Sequence, residues 1–348
     1  MIESKLHTQK RVNYAFAAVV TLLILYFLPF NKIIPDFNAF LTIFISIILE
    51  AVPFLLMGTL ISSLINTFVT PDFINKHLPK NRFLAIIGAS LFGLIFPVCE
   101  CAIIPIARRL IKKGLPLHVA ITFLFSVPII NPVVILSTFY AFNGDIKILL
   151  SRIILGFAIS VLIGLRISLF KKEDRDVLKT METDKIPSHG HEHCGHEEGV
   201  CSAHEEAENS QKPFIQKTLD VINHARMEFF DVVGFFVLGA LISSVFNTYL
   251  PRSVLNDIGT NPLISIIIMM AFAYVLSICS ESDAFIARTF SGSFSSGSLV
   301  SFMVFGPMLD IKNTLMLIHY FKPGFVIWVA AYLVVLNLIF AFIANILL

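Results

Sequence analysis

Hydrophobic runs long enough to cross a bilayer alternate with short charged segments along most of the chain. The apolar stretches lie at about 12–30, 38–69, 83–112, 117–142, 146–169, 226–250, 262–290, 297–320 and 323–347. A helix needs about 20 consecutive apolar residues to span the hydrocarbon core of a membrane. The pattern therefore predicts an all-α polytopic membrane protein.

Two of these stretches are interrupted by polar residues. The stretch 83–112 contains PVCEC at positions 97–101, and the stretch 262–290 contains CSESD at positions 279–283. Each interruption predicts two short half-helices around a polar break. Because non-helical backbone at membrane depth must be satisfied by protein or by a water-filled cavity, we expect both breaks to face the protein interior.

The chain contains one unit twice. FLLMGTLISSLINT begins at Phe54 and FFVLGALISSVFNT begins at Phe235, and eight of the fourteen positions are identical. A similar offset pairs polar positions of the two copies: Glu50 with Asp231, Glu100 with Glu281, and Asn131 with Asp310. Internal repeats with polar residues at matching depth are typical of secondary transporters, which build a central substrate site at the repeat interface.

Loop charge predicts how the copies are oriented. Basic residues flank the first interrupted stretch on both sides, at positions 76, 80 and 82 before it and 108, 109, 112 and 113 after it. If that stretch enters the membrane and returns as a hairpin, both clusters lie in the cytoplasm, as the positive-inside rule requires. The two copies are then inverted. The alternative is nine plain spans with parallel copies.

These patterns divide the chain into four segments. Residues 1–36 form an uncleaved transmembrane helix, because the apolar run after the basic N-terminus has no small-residue cleavage site. Repeat 1 covers 37–170 and repeat 2 covers 222–348. The segment 171–221 between them is polar, acidic and rich in His and Cys, and we predict a mostly disordered cytoplasmic linker.

Composition excludes several classes of protein. Hydrophobic residues make up 56% of the chain and charged residues only 14%, whereas soluble chains have about a quarter charged residues. The sequence has no phosphate-binding Gly-rich loop and no catalytic constellation on a soluble domain. We therefore predict a multi-pass protein of the cell (inner) membrane, surrounded by lipid, that is not an enzyme and has neither a resident cofactor nor a nucleic-acid partner.

The predicted linker carries a dense tract of metal-ligating side chains. Its candidate ligands are His189, His191, His193, Cys194, His196, Cys201 and His204. Imidazole and thiolate groups suit Zn²⁺ and copper better than Mg²⁺ or Ca²⁺. The spacing fits no folded zinc site, so we predict a flexible chelating tract. The alternative is a solvated polar spacer.

The two breaks carry the candidate transport site. Its members are Cys99, Glu100 and Cys101 in the first break, and Cys279, Glu281 and Asp283 in the second. If the breaks meet, three sulfurs and three carboxylates surround one point, which suits a soft cation or a trivalent arsenical. A buried carboxylate also suits a coupling proton. In the alternative interpretation the thiols fill space and Glu100 interacts with a half-helix dipole.

A third pair of positions follows prolines. Asn131 comes after Pro128, and Asp310 comes after Pro307. Proline within a helix removes a hydrogen bond and frees backbone carbonyls. Asn131 and Asp310 are therefore candidates to line the same cavity, with simple helix kinking as the alternative.

The runs PVCECAIIPIARRLIKKGLP and FLFSVPIINPVV resemble the predicted-permease family that includes the organoarsenical exporter ArsP. The resemblance covers both repeats. It implies an inner-membrane permease that moves arsenicals or transition metals such as zinc and copper, in some members beside a second membrane subunit. Exporters of the family tend to have Cys-Ser-Cys at the first break, where this chain has Glu100 between its cysteines.

From these observations we predict a permease for a transition-metal ion, with zinc ahead of copper and export ahead of import. The first alternative is an efflux permease for arsenicals or another small thiophilic solute. The second is a membrane subunit of a two-component permease. An intramembrane enzyme is disfavoured because neither break has a nearby His to act as a base.

Overall fold

Twelve α-helices make up most of the part of the chain that the structure describes. The structure is a computed structural model and describes residues 37–68, 74, 76, 78–79, 81–94, 100–169, 177–179, 214–249 and 262–347. The helices are α1 Phe37–Phe68, α2 Arg82–Phe92, α3 Glu100–Lys112, α4 Leu117–Ile130, α5 Pro132–Ala141, α6 Ile146–Ser168, α7 Phe214–Tyr249, α8 Pro262–Leu276, α9 Asp283–Thr289, α10 Ser296–Met308, α11 Ile311–Tyr320 and α12 Pro323–Leu347. The predicted N-terminal helix at 1–36 and the metal-ligating tract lie outside the described residues.

Within the described residues, five helical segments are long and apolar enough to cross a membrane. They are Phe37–Ile65, Leu117–Ala141, Ile146–Ser168, Val221–Thr248 and Pro323–Leu347. Many large side chains on these helices are exposed, because they meet lipid in place of water. The prediction of an all-α polytopic membrane protein is confirmed.

The helices follow the same order in each half of the described chain. A long helix (α1 or α7) is followed by a short apolar helix (α2 or α8), a second short helix (α3 or α9), a helix pair (α4 and α5, or α10 and α11) and a final long helix (α6 or α12). α1 and α7 make the most extensive contact with each other. The inverted relation of the two halves stays a prediction.

The second polar break is non-helical, as predicted. α8 ends at Leu276 and α9 begins at Asp283, so residues 277–282 connect two short helices. In the first half, α2 ends at Phe92 and α3 begins at Glu100, while 95–99 lie outside the described residues. α3 ends at a basic turn followed by Gly114, whose φ of 97° is one that glycine adopts readily.

Asn131 and Asp310 cap helices at equivalent places. The Val133 backbone N–H donates to Asn131 Oδ1 at 3.0 Å. The Asn313 backbone N–H donates to Asp310 Oδ1 at 2.6 Å. Both helix pairs are therefore divided shortly after a proline, and a polar side chain satisfies the first free N–H groups of the next helix. The helix disturbance that each proline predicted is therefore the end of one helix followed by the start of another.

Two glycines at equivalent repeat positions permit close helix contacts. A Cβ added to Gly58 of α1 would overlap with the Ala102 Cβ of α3. A Cβ added to Gly239 of α7 would lie 2.9 Å from the Lys312 Cα of α11. Small residues let membrane helices approach closely, and both glycines lie at such contacts.

The hairpin topology can be tested by the accessibility of the two flanking loops. We expect single cysteines at positions 78 and 115, in a cysteine-free background, to react with an impermeant thiol reagent from the same side of the membrane. The reason is that basic residues flank the interrupted stretch on both sides. Labelling in right-side-out and inverted vesicles makes the comparison. Reaction from opposite sides would refute the hairpin and with it the inverted repeat.

Candidate functional site

Glu100, at the end of the first predicted break, meets the second predicted break inside the protein. Glu100 is the first residue of α3, and its side chain is only 2% exposed. The Ser280 Oγ, from the second break, lies 3.0 Å from Glu100 Oε2 and 3.4 Å from Glu281 Oε2. A hydroxyl carries a single proton, so it can donate to only one of the two carboxylates at a time. The equivalent glutamates of the two copies therefore share one serine.

A third carboxylate joins the same segment from α1. The Ser282 Oγ donates to Glu50 Oε1 at 2.9 Å. Glu50 is exposed, whereas Glu281 is half-buried and Glu100 is buried. The two serines of the CSESD segment thus connect three carboxylates of decreasing exposure.

Asp283 is neutralised by a buried arginine. Its Oδ2 lies 2.7 Å from Arg152 Nη2, and the two side chains are 3% and 1% exposed. Arg152 also donates to Thr138 Oγ1 at 2.7 Å and to the Ser280 carbonyl at 3.3 Å. These contacts connect α6 and α5 to the second break, so Asp283 acts here as a structural anchor of the segment that carries Glu281.

A buried lysine accompanies Asp310. The Lys312 Nζ lies 4.0 Å from Asp310 Oδ2, and both side chains are 1% exposed. The ammonium group also lies 5.6 Å from the centre of the Phe236 ring. Glu100 lies close enough to interact with its charge, and so do the sulfurs of Cys101 and Cys279. The buried lysine therefore places a positive charge near both Asp310 and Glu100.

The formal charges at this position do not balance. Among the described residues here, four carboxylates are buried or half-buried, and two cations are buried. If all of them are ionised, two negative charges are in surplus. The carboxylates are Glu100, Glu281, Asp283 and Asp310, and the cations are Arg152 and Lys312. The ion pairs involve Asp283 and Asp310. Neither glutamate that shares Ser280 has a basic side chain within ion-pair distance in the described part of the chain. Uncompensated charge at this depth is costly unless a mobile cation or proton offsets it.

The predicted convergence of sulfurs and carboxylates is found in part. Cys101 and Cys279 are buried cysteines that form no disulfide in the described part of the chain, and Glu100 and Glu281 share a hydroxyl. Cys99 lies outside the described residues. Among the residues described, no three His, Cys, Asp or Glu side chains are grouped closely enough to hold a metal ion. Asn131 stays at the start of α5, where its side chain caps that helix.

Sequence reasoning missed two charged residues of the site, Arg152 and Lys312. Each is 1% exposed within a helix of the membrane domain. The signal was available, since an ionisable residue within an apolar stretch is usually functional or paired. The spacing of Lys312 two residues after Asp310 also indicated a local pair. The ligands predicted in the linker, from His189 to His204, lie outside the described residues.

Comparison with known proteins identifies relatives along nearly the full chain. A family model described as a predicted permease matches residues 36–346. The UPF0718 protein YcgR of Bacillus subtilis (strain 168) is 43% identical over 297 residues, which is 85% of this chain and 94% of that protein. A Streptococcus mutans protein, named as a subunit of a two-component membrane permease complex, is 36% identical over 298 residues, which is 86% of this chain and 92% of its own length.

A more distant relative comes from an archaeon. A UPF0718 protein of Methanocaldococcus jannaschii is 32% identical over 136 residues, which is 38% of this chain and 37% of that protein. No solved structure matches the chain at a significant level. Because the family model covers nearly the whole described sequence, the chain belongs to the predicted-permease family. The family and the relatives indicate a multi-pass transporter rather than an enzyme.

Proposed function

We propose that this member of the predicted-permease family moves a divalent transition-metal ion, with zinc as the first candidate, past Glu100 and Glu281. The observation that carries the proposal is that Glu100 and Glu281 share Ser280 and, among the described residues, have no ion-pair partner. If both are ionised, a divalent cation matches their charge. The position suits a transported ion, because one glutamate comes from each half of the protein and each lies beside a polar break.

The nearby thiols support a soft or borderline ion over a hard one. Cys101 and Cys279 are buried on the two segments that carry Glu100 and Glu281. Thiolate ligands favour zinc and copper, whereas Mg²⁺ and Ca²⁺ prefer oxygen ligands alone. The sequence prediction adds Cys99 to this set. Trivalent arsenicals also bind thiols, and they remain the alternative cargo.

Transport by the pure protein decides between these cargoes. We expect liposomes that contain the chain alone to move zinc well above the rate of protein-free liposomes. Magnesium should move little, because two thiols contribute to the proposed site. Zinc, copper, magnesium and a trivalent arsenical should be compared in the same vesicles. Flux of the arsenical without flux of zinc would replace the metal assignment with the arsenical one.

We also propose that the His/Cys tract of the linker captures metal, which favours export from the cytoplasm. Its imidazole and thiol groups must lose their protons to bind, so zinc binding should weaken as the pH becomes acidic. Deletion of residues 189–204 should lower the number of zinc ions bound at equilibrium and preserve basal flux, because the tract lies outside both repeats. Complete loss of flux in the deletion variant would place the tract in the permeation path.

A second candidate role follows from one relative. The Streptococcus mutans protein is named as a subunit of a two-component membrane permease complex. By analogy, this chain would act with a second membrane subunit. Purification from its native membrane tests this idea: a stoichiometric membrane partner that is required for flux supports it, and full flux by the chain alone contradicts it.

A further inference from the structure

Beyond Glu100 lies a closed cleft that leaves no room for a water molecule between the helices. Glu100 and Asn313 both line this cleft, which lies among α3, α4, α10 and α11 and is otherwise apolar. Glu100 Oε2 accepts from Ser280, but Glu100 Oε1 is buried and has no hydrogen-bond partner among the described residues. Asn313 Oδ1 is likewise buried without a partner in the described part of the chain. Buried acceptors without donors are costly unless a ligand completes them.

At the other end of the series, Glu50 lies on an exposed surface of a spanning helix. It falls within Phe37–Ile65, and the neighbouring Leu49 is 68% exposed. An exposed leucine suits lipid, whereas a carboxylate in contact with hydrocarbon is strongly disfavoured. Its hydrogen bond to Ser282 directs Glu50 toward the second break. Glu50 is therefore best placed where water reaches the break from one side of the membrane.

We propose that Glu50, Glu281, Glu100 and Asn313 line one cation path, with Glu50 at its water-accessible mouth and Asn313 beyond the central glutamates. This inference rests on the proposed function, since it describes the route to and from the Glu100–Glu281 position. Exposure decreases from Glu50 through Glu281 to Glu100, so a cation meets an oxygen ligand at each step as it loses water. The carboxylate oxygens near the mouth would attract the cation, and the thiols near Glu100 and Glu281 would favour a soft or borderline ion over a hard one.

The accessibility of position 50 to a water-soluble reagent tests the proposed mouth of the path independently of transport. We expect Glu50→Cys, in a cysteine-free background, to react with a charged, membrane-impermeant thiol reagent. Leu49→Cys is the matched control, and it should be unreactive because lipid surrounds it. An unreactive Glu50→Cys would overturn the assignment of Glu50 to a water-filled mouth, whether or not the protein moves zinc.

Zinc flux tests the mouth in the otherwise unchanged protein. We expect Glu50→Gln to raise the half-saturating zinc concentration about tenfold, and to affect this concentration more than the maximal flux, because one attractive charge is lost from the approach. Asp145→Asn is the control. Asp145 is an exposed carboxylate that caps α6, and asparagine caps equally well. An unchanged half-saturating concentration in Glu50→Gln would contradict the inference and leave the proposed function intact.

The inner end of the path is tested at Asn313. Asn313→Leu keeps the side-chain size but removes the unpartnered oxygen, and we expect lower maximal zinc flux. Asn313→Asp keeps an acceptor oxygen, so it should retain more flux than Asn313→Leu. Melting temperatures of both variants in detergent separate this effect from a loss of folding. Normal flux in a folded Asn313→Leu variant would remove Asn313 from the path. Absence of zinc flux in the wild type, both alone and with any membrane partner that copurifies, would refute the proposed function itself.

Discussion

Replacement of either central glutamate by glutamine is expected to abolish zinc flux while the protein still reaches the membrane. Glu100→Gln and Glu281→Gln preserve size and hydrogen bonding but remove a negative charge. In a site with an effective dielectric constant of about 20, the loss of one charge next to a divalent ion weakens the attraction by several kcal/mol, so flux should fall about a hundredfold or more. Proteoliposome flux, normalised to inserted protein, gives the measurement.

The contribution of each glutamate can be separated from folding. Asp145→Asn is again the control, because it removes one exposed carboxylate remote from the breaks. The Gln variants should elute as monodisperse protein in detergent, since Ser280 can still donate to a Gln carbonyl oxygen. Normal zinc flux in both Gln variants would refute the transport role of the breaks. A helix-terminal role for Glu100 would then be the better account.

Removal of Arg152 is expected to destabilise the protein more than any surface change. Arg152→Met leaves the buried carboxylate of Asp283 without its cation, and breaking one partner of a buried ion pair costs about 3–5 kcal/mol. The double variant Arg152→Met with Asp283→Leu removes both charges and should recover much of the loss. Thermal or denaturant unfolding in mild detergent, analysed as a double-mutant cycle, measures the coupling free energy between the two residues.

An exposed arginine provides the comparison for Arg152. Arg288 of α9 is exposed and lies 3.4 Å from Ser291 Oγ, so Arg288→Met should change the free energy of unfolding by less than about 1 kcal/mol. If Arg152→Met is as mild as Arg288→Met, the ion pair does not anchor the second break. If the double variant is no more stable than Arg152→Met, the loss of stability does not come from the unpaired charge on Asp283.

Local sequence signals predicted several features of the site. The break at 277–282 was indicated by a polar run within an apolar stretch, because helices in lipid do not tolerate such residues without a partner. Gly58 and Gly239 occupy the same place in the repeated unit, and both lie at close helix contacts. In each case the residue type itself restricts the backbone conformation or the neighbouring side chains, so the feature can be predicted from the sequence pattern.

The pairing of charges could not be predicted in the same way. Asp283 was expected to bind cargo, yet Arg152, from a helix far away in sequence, holds it in an ion pair. Asp310 was expected to line the cavity, and it caps α11 beside Lys312. The sequence shows the same carboxylate whether it forms an ion pair or binds cargo. Only its neighbours in space decide whether a cationic side chain neutralises it or it remains available to bind cargo.

The sequence by itself determined that this is an all-α membrane protein of the predicted-permease family with a polar interruption within its spans, because hydrophobic length and local polarity follow directly from residue types. Tertiary structure alone decided which of the polar residues act together. Helix packing brings Glu100 and Ser280 within 3.0 Å although they are 180 residues apart, and it gives cations to Asp283 and Asp310 but leaves the glutamates to share a serine. The physical reason is that electrostatic compensation depends on distances across the fold, which the order of residues along the chain does not specify.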